Sequence, residues 1–189
     1  GGSSSSSSSR SSVMGASSPL CTLRHPNWVN SISFSSDNAK LLSSCHDANV
    51  RLWDINRKTT TETFRLSDCA LFANFGASRA GSDTNLIVYG GTGSAINLRD
   101  TRSSSGSSPS SLSLPKSTRV FDCQANTDEN LAVSVSEDRV VRLWDLRSEA
   151  QPLSMFHTTG VPRALSFVAP FISVGDSLAN FYHLHLETS

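Results

Sequence analysis

The hexapeptide VRLWDI at Val50 to Ile55 returns almost verbatim as VRLWDL at Val141 to Leu146, its two Trp-Asp pairs standing 91 residues apart. Halfway between them lies INLRDT, Ile96 to Thr101, a degenerate copy. A fainter fourth copy is NFYHLHL, Asn180 to Leu186, preceded by FISVG at Phe171 to Gly175. Asp54 to Asp100 is 46 residues and Asp100 to Asp145 is 45. A fixed period of this length marks a structural repeat and fits a unit of four short strands.

Outward from the first copy the sequence alternates with period two. The run WVNSISF contains Val29, Ile32 and Phe34. KLLSSC follows, ending at Cys45, and then the turn His46-Asp47-Ala48-Asn49. In VRLWDI, Val50, Leu52 and Asp54 fall on one strand face and Arg51, Trp53 and Ile55 on the other. TTTETFRL, ending at Leu66, adds β-branched residues. No window sustains a helical period, so the pattern predicts an all-β chain.

The 189 residues carry 16 basic and 16 acidic side chains, a formal net charge of +0. A general binder of nucleic acid or anionic membrane needs a basic excess, so that class is disfavoured. No apolar run approaches the roughly 20 residues of a membrane-spanning helix. Serine is over-abundant, 38 residues, much of it in two tracts. Residues 1–18 predict a disordered Ser-rich tail and residues 103–111 a flexible loop within the repeat region, which spans 19–189. Each tract carries a Ser-Pro pair, Ser18-Pro19 at the end of the first and Ser108-Pro109 within the second, open to either phosphorylation or simple solvation. Cys21, Cys45, Cys69 and Cys123 make no C-x-x-C motif, and no signal-peptide pattern opens the chain. Reduced thiols in cytoplasm or nucleus are expected. Because the first residue is Gly and not Met, a fragment is expected over a complete chain.

These repeats resemble the WD-repeat (Trp-Asp) β-propeller family, strongly in the first and third copies and faintly in the second and fourth. The resemblance implies about four blades: a small or partial propeller, or a fragment of a seven-bladed ring. It also implies a structural tetrad, here His25, Ser43, Asp47 and Trp53. A buried carboxylate needs donors and an indole N–H needs an acceptor, so such a set would fasten a blade to the loop entering it. The third copy keeps Ser134, Asp138 and Trp144, with Lys116 in the His place. The second has Arg99, Tyr89 and Gly93 in the Trp, Ser and Asp places. In the fourth, His183 or His185 is expected in the Trp place, depending on how Gly175-Asp176-Ser177 is gapped. Outer strands are expected near Leu20–Arg24, Thr59–Leu66, Ser111–Leu114 and Gln151–His157. The fourth unit ends after its third strand, and Leu20–Arg24 is a candidate to complete it and close a ring of four.

No set of residues points to catalysis. His25, Ser43 and Asp47 are expected inside a blade, with no cleft or oxyanion hole. His183-x-His185 lacks a third metal ligand, and Gly90-Gly91-Thr92-Gly93 lacks the Lys and helix of a phosphate loop. No enzyme, cofactor, metal or small-molecule substrate is expected. The resemblance implies a protein-interaction scaffold acting in a multiprotein complex. Its candidate rim is Trp28, Cys45, Arg119 and Ser136, with His46 and Glu137 in adjacent turns; a large aromatic such as Trp28 can anchor an interface as readily as pack on a loop. SVSEDRVVRLWDLR, Ser134 to Arg147, is similar to the box by which WD-repeat substrate receptors dock onto cullin-RING ubiquitin ligase adaptors. Asp138, Trp144, Asp145 and Arg147 carry that match. The same Trp-Asp-x-Arg string is common in ordinary repeats, where the Arg pairs within its own chain. A third possibility is a subunit of an RNA-processing or chromatin-associated complex, touching nucleic acid only indirectly.

Overall fold

The computed structural model describes residues 21–78, 85–102, 110–115, 118–148 and 151–186. These residues form fifteen strands and no helix. The first sheet is β1 (Val29–Phe34), β2 (Lys40–Cys45), β3 (Asn49–Asp54) and β4 (Thr59–Arg65). The second is β5 (Ala70–Phe75), β6 (Leu86–Gly91), β7 (Ala95–Asp100) and β8 (Ser110–Ser113). The third is β9 (Val120–Asn126), β10 (Leu131–Ser136), β11 (Val140–Asp145) and β12 (Ser154–His157). The fourth has three strands, β13 (Pro162–Val168), β14 (Phe171–Asp176) and β15 (Phe181–His185). Every sheet is an antiparallel meander in sequence order.

The sheets stand side by side as blades. Strand β1 packs on β5, β5 on β9 and β9 on β13. Each blade has a near face, toward the blade before it, and a far face, toward the next. The far face of blade 1, with Leu42, Val50, Leu52 and Phe64, meets the near face of blade 2, with Ala73, Ile87 and Tyr89. Phe72, Val88, Ile96 and Leu98 of blade 2 meet Cys123, Ala132 and Trp144 of blade 3. Val133, Val135 and Val141 of blade 3 meet Leu165, Phe167, Ile172 and Val174 of blade 4. Strict alternation on the pleat is what splits each strand between two neighbours, so a one-residue slip would destroy two joins at once.

Of the alternatives the sequence left open, a ring of four closed by Leu20–Arg24 is not the one the described residues form. Residues Cys21 to Arg24 form no strand, and blade 4 keeps three strands. The reason is local: the next residue, His25, is held by Ser43 of blade 1, which keeps the segment beside its own blade. Among the described residues β13 does not pack on β1 as the other successive first strands pack on each other. Over the described residues the four blades therefore make an arc that does not close on itself.

Turn chemistry fixes the register. Ala48, Arg139 and Ala179 have φ of 65°, 63° and 63° at the same place in three second-to-third-strand turns. The side chains of Asp47 and Asp138 cap those turns, accepting from the N–H of Asn49 at 3.1 Å and of Val140 at 3.2 Å. In blade 2, Gly91 lets the chain entering β5 pass close by: a Cβ there would lie 1.9 Å from the Cys69 carbonyl oxygen. The tail at 1–18, Lys116, both Ser-Pro pairs and most of the 103–111 tract lie outside the described residues. The last two residues of that tract, Ser110 and Ser111, belong to β8 and not to a loop.

Candidate functional site

Strand pairing brings the Trp of each clear repeat over the Ser of the neighbouring strand. Trp53 Nε1 donates to Ser43 Oγ at 2.8 Å, and His25 Nε2 lies 2.8 Å from the same oxygen. His25 Nδ1 lies 3.1 Å from the Leu23 carbonyl. A carbonyl can only accept, so Nδ1 carries the proton, Nε2 accepts, and the Ser43 hydroxyl donates to it. The result is a one-way chain, indole to hydroxyl to imidazole to backbone. The third repeat makes the corresponding bond, Trp144 Nε1 to Ser134 Oγ, at 2.9 Å.

Asp47 does not join His25. It is forked by Arg51, which holds its carboxyl well below the usual carboxylate range. Asp138 and Arg142 repeat the arrangement. There burial works against the Asp138 charge, but the hydrogen bonds from Arg142 and Ser136 outweigh it and the pKa falls. Sequence reading missed this pair, although the signal was present: D-x-x-x-R precedes Leu-Trp-Asp in both clear repeats.

The degenerate blades replace these locks differently. In blade 2, Arg99 faces Glu62 at 3.8 Å and lies 5.1 Å over the Phe64 ring, while Tyr89 stacks on that ring. In blade 4 the pairing Ile172 with Leu184 matches Ala132 with Trp144. Leu184 thus fills the Trp place, and Val174 the Ser place. The expectation of His183 or His185 there is corrected: pairing with Ser173 and Phe171 turns both toward the far face. Asp176 instead organises the turn: desolvation works against its charge, but bonds from the Asn180 side-chain amide and from the N–H groups of Asn180, Gly160 and Leu178 outweigh that cost and hold its carboxyl well below the usual range.

The expected rim divides. Trp28 is 74% exposed, with its ring 5.8 Å from that of His46. Its carbonyl accepts from the His46 N–H at 2.8 Å. His46 Nδ1 also lies 2.9 Å from Cys69 Sγ, where burial pushes the thiol up. Arg119 and Glu137 pair at 3.8 Å on an exposed edge. Cys45 and Ser136, by contrast, are fully buried, which corrects their assignment to the rim surface. The Cys45 thiol turns inward to the Asn27 carbonyl, and Ser136 bridges Asp138 and Arg142.

Of the docking-box residues, Trp144 and Asp138 are committed to the blade interior and its turn. Arg147 projects outward, its guanidinium forked on Asp145 at 3.0 Å through each of two nitrogens. Arg102 grips Asp100 in the same way one repeat earlier. Sequence reading also missed a cleft of about 210 Å³ where the first strands converge, lined by Asn30, Asn74, Phe121, Asp122 and Arg163. The Arg163 guanidinium lies 4.0 Å over the Phe121 ring. Among the described residues no three His, Cys, Asp or Glu side chains gather as a metal site.

Comparison with known proteins supplies the class. Residues 17–54 and 106–145 match the family described as WD domain, G-beta repeat. Those two segments therefore carry WD repeats, and the four antiparallel sheets are consistent with a partial WD-repeat propeller. The matched segments hold the two Trp-Ser locks. Over 180 residues the chain is 26% identical to apoptotic protease-activating factor 1 of Danio rerio, an alignment covering 70% of this chain and 14% of that protein.

Proposed function

We propose that this chain is a non-catalytic scaffold that binds other proteins through the rim around Trp28, as part of a multiprotein complex in cytoplasm or nucleus. One observation carries this: a large aromatic held at 74% exposure, backed by the His46 ring and tied to it through the backbone. Such a group is pre-ordered, so little entropy is lost when a partner covers it. The polar groups that could do chemistry are already used inside the blades by Ser43, His25 and Asp47. A formal charge of +0 favours a protein partner over a phosphate backbone.

The test is quantitative affinity capture with the wild type, Trp28→Ala and the control Ser67→Ala. Loss of a discrete set of partners with Trp28→Ala alone supports the rim. An unchanged partner set removes it. The adaptor-docking alternative rests on Arg147, which stays exposed although Asp145 already engages it.

A further inference from the structure

We propose that Cys69 is a site of reversible thiol–disulfide exchange, where a small disulfide with charged arms, of the glutathione type, leaves one arm bound to the chain.

The Cys69 thiol does not stand alone. His46 Nδ1 lies 2.9 Å from its Sγ, within reach of the thiol proton. The Asn30 side-chain amide donates to the same sulfur at 3.6 Å. The sulfur therefore has a base to take its proton and a donor to steady the charge left behind, the pairing that activates a nucleophile. Both partners are held in place. Asn30 is the extra residue of a bulge in β1, and its amide also donates to the Ala70 carbonyl at 2.7 Å. The His46 N–H is tied to the Trp28 carbonyl. Burial keeps the resting thiol protonated, so the base is what permits attack. A thiol of high pKa is also the stronger nucleophile once that proton has gone.

Cys69 lines a cleft of about 200 Å³ together with Arg65, Asp68 and Asn97. The space follows from a lost lock. Asn97 stands where blade 1 has Arg51, and Gly93 where it has Asp47. The ion pair that fills this turn in blade 1 has no counterpart here. Both bordering blades have all four strands. Arg65 and Asp68 bring opposite charges to the cleft. A glutathione arm carries carboxylates and an ammonium group, so each charge has a match; a neutral disulfide offers neither.

In the exchange, Cys69 Sγ attacks one sulfur of the incoming disulfide. A new S–S bond forms as the old one breaks, and the second arm leaves as a thiolate. His46 takes the Cys69 proton and returns it to the departing sulfur. Cys69 is oxidised to the mixed disulfide and the departing arm is reduced to a thiol. The His46 ring also packs 5.8 Å from that of Trp28, which sets the modified thiol beside the rim. The exchange itself does not depend on that rim binding a partner.

The test treats the native 189-residue chain with glutathione disulfide or with neutral hydroxyethyl disulfide and times the adducts by mass spectrometry. Cys21, an exposed thiol, is the reference within the chain. The ratio of Cys69 to Cys21 rates should be about tenfold higher with glutathione disulfide. His46→Gln should slow Cys69 with either reagent by about tenfold or more and leave Cys21 unchanged. Arg65→Ala should slow Cys69 about threefold with glutathione disulfide alone. Unchanged circular dichroism would establish that both variants fold, and dithiothreitol should release every adduct. Equal ratios for the two reagents would overturn the proposal, as would a Cys69 rate indifferent to His46→Gln or to Arg65→Ala. So would a Cys45–Cys69 disulfide in place of a retained adduct.

Discussion

Trp144 donates its indole N–H to Ser134 Oγ at 2.9 Å, with the indole 1% exposed and the hydroxyl fully buried. Trp53 and Ser43 make the same bond in the first blade, but there the hydroxyl also serves His25. The difference sets their relative cost. Ser134→Ala strands one buried donor and should cost about 1–3 kcal/mol. Ser43→Ala removes two bonds and loosens the entry segment, so it should cost more. Urea unfolding followed by circular dichroism measures both; equal costs would mean His25 adds nothing.

Asp47 and Arg51 make stability depend on acid. The folded carboxyl is depressed, so its contribution is complete above the unfolded value, about 3.9, and is lost as pH falls through the folded value. Arg51→Met should cost about 1.5–3 kcal/mol near neutrality, the worth of hydrogen bonds to a charged group, and flatten the decline in urea midpoint below about pH 4. A parallel decline in the variant would place the acid sensitivity elsewhere.

Ala48 and Ala179 sit at left-handed φ of 65° and 63° with no glycine to ease them. Ala48→Gly and Ala179→Gly should each stabilise by about 0.5–1 kcal/mol, the relief of left-handed strain exceeding the added chain entropy. A lower melting temperature in both would contradict this.

Gly91→Ala should destabilise by about 3 kcal/mol or more, because its Cβ meets backbone that cannot move without shifting the chain into β5. Gly175→Ala is the control, its Cβ falling 3.6 Å from that of Ala164, an ordinary contact. Its urea midpoint should stay close to that of the wild type.

The thiols should alkylate in an order set by burial. Cys21 is exposed, Cys69 is half-buried, and Cys45 and Cys123 are inaccessible. Burial pushes the Cys123 thiol far up. Iodoacetamide and mass spectrometry on the native chain should modify Cys21 first, Cys69 slowly, and Cys123 only after denaturant is added.

Much of this fold is legible in the sequence because one string is repeated. VRLWD sets a third strand, its period sets the blade, and alternation tells which side each residue faces. What escaped follows from geometry that residue types do not carry. Asp47 was expected beside His25, but Arg51 on the neighbouring strand reaches it from the same face. Two histidines looked like substitutes for a Trp, yet register gives that place to Leu184. Cys45 and Ser136 sit at strand ends, where a one-residue difference decides between rim and interior. The convergent cleft drew on four strands, each contributing residues that mean little alone.

The burial of the tryptophans has an optical consequence. Trp53 is 7% exposed and Trp144 is 1%, against 74% for Trp28. The indoles therefore emit from two unlike environments. Iodide should quench the red-shifted fraction of the fluorescence and leave the blue-shifted fraction nearly untouched. The chain carries a built-in reporter at the rim proposed here for partner binding, and two internal standards for the integrity of the blades.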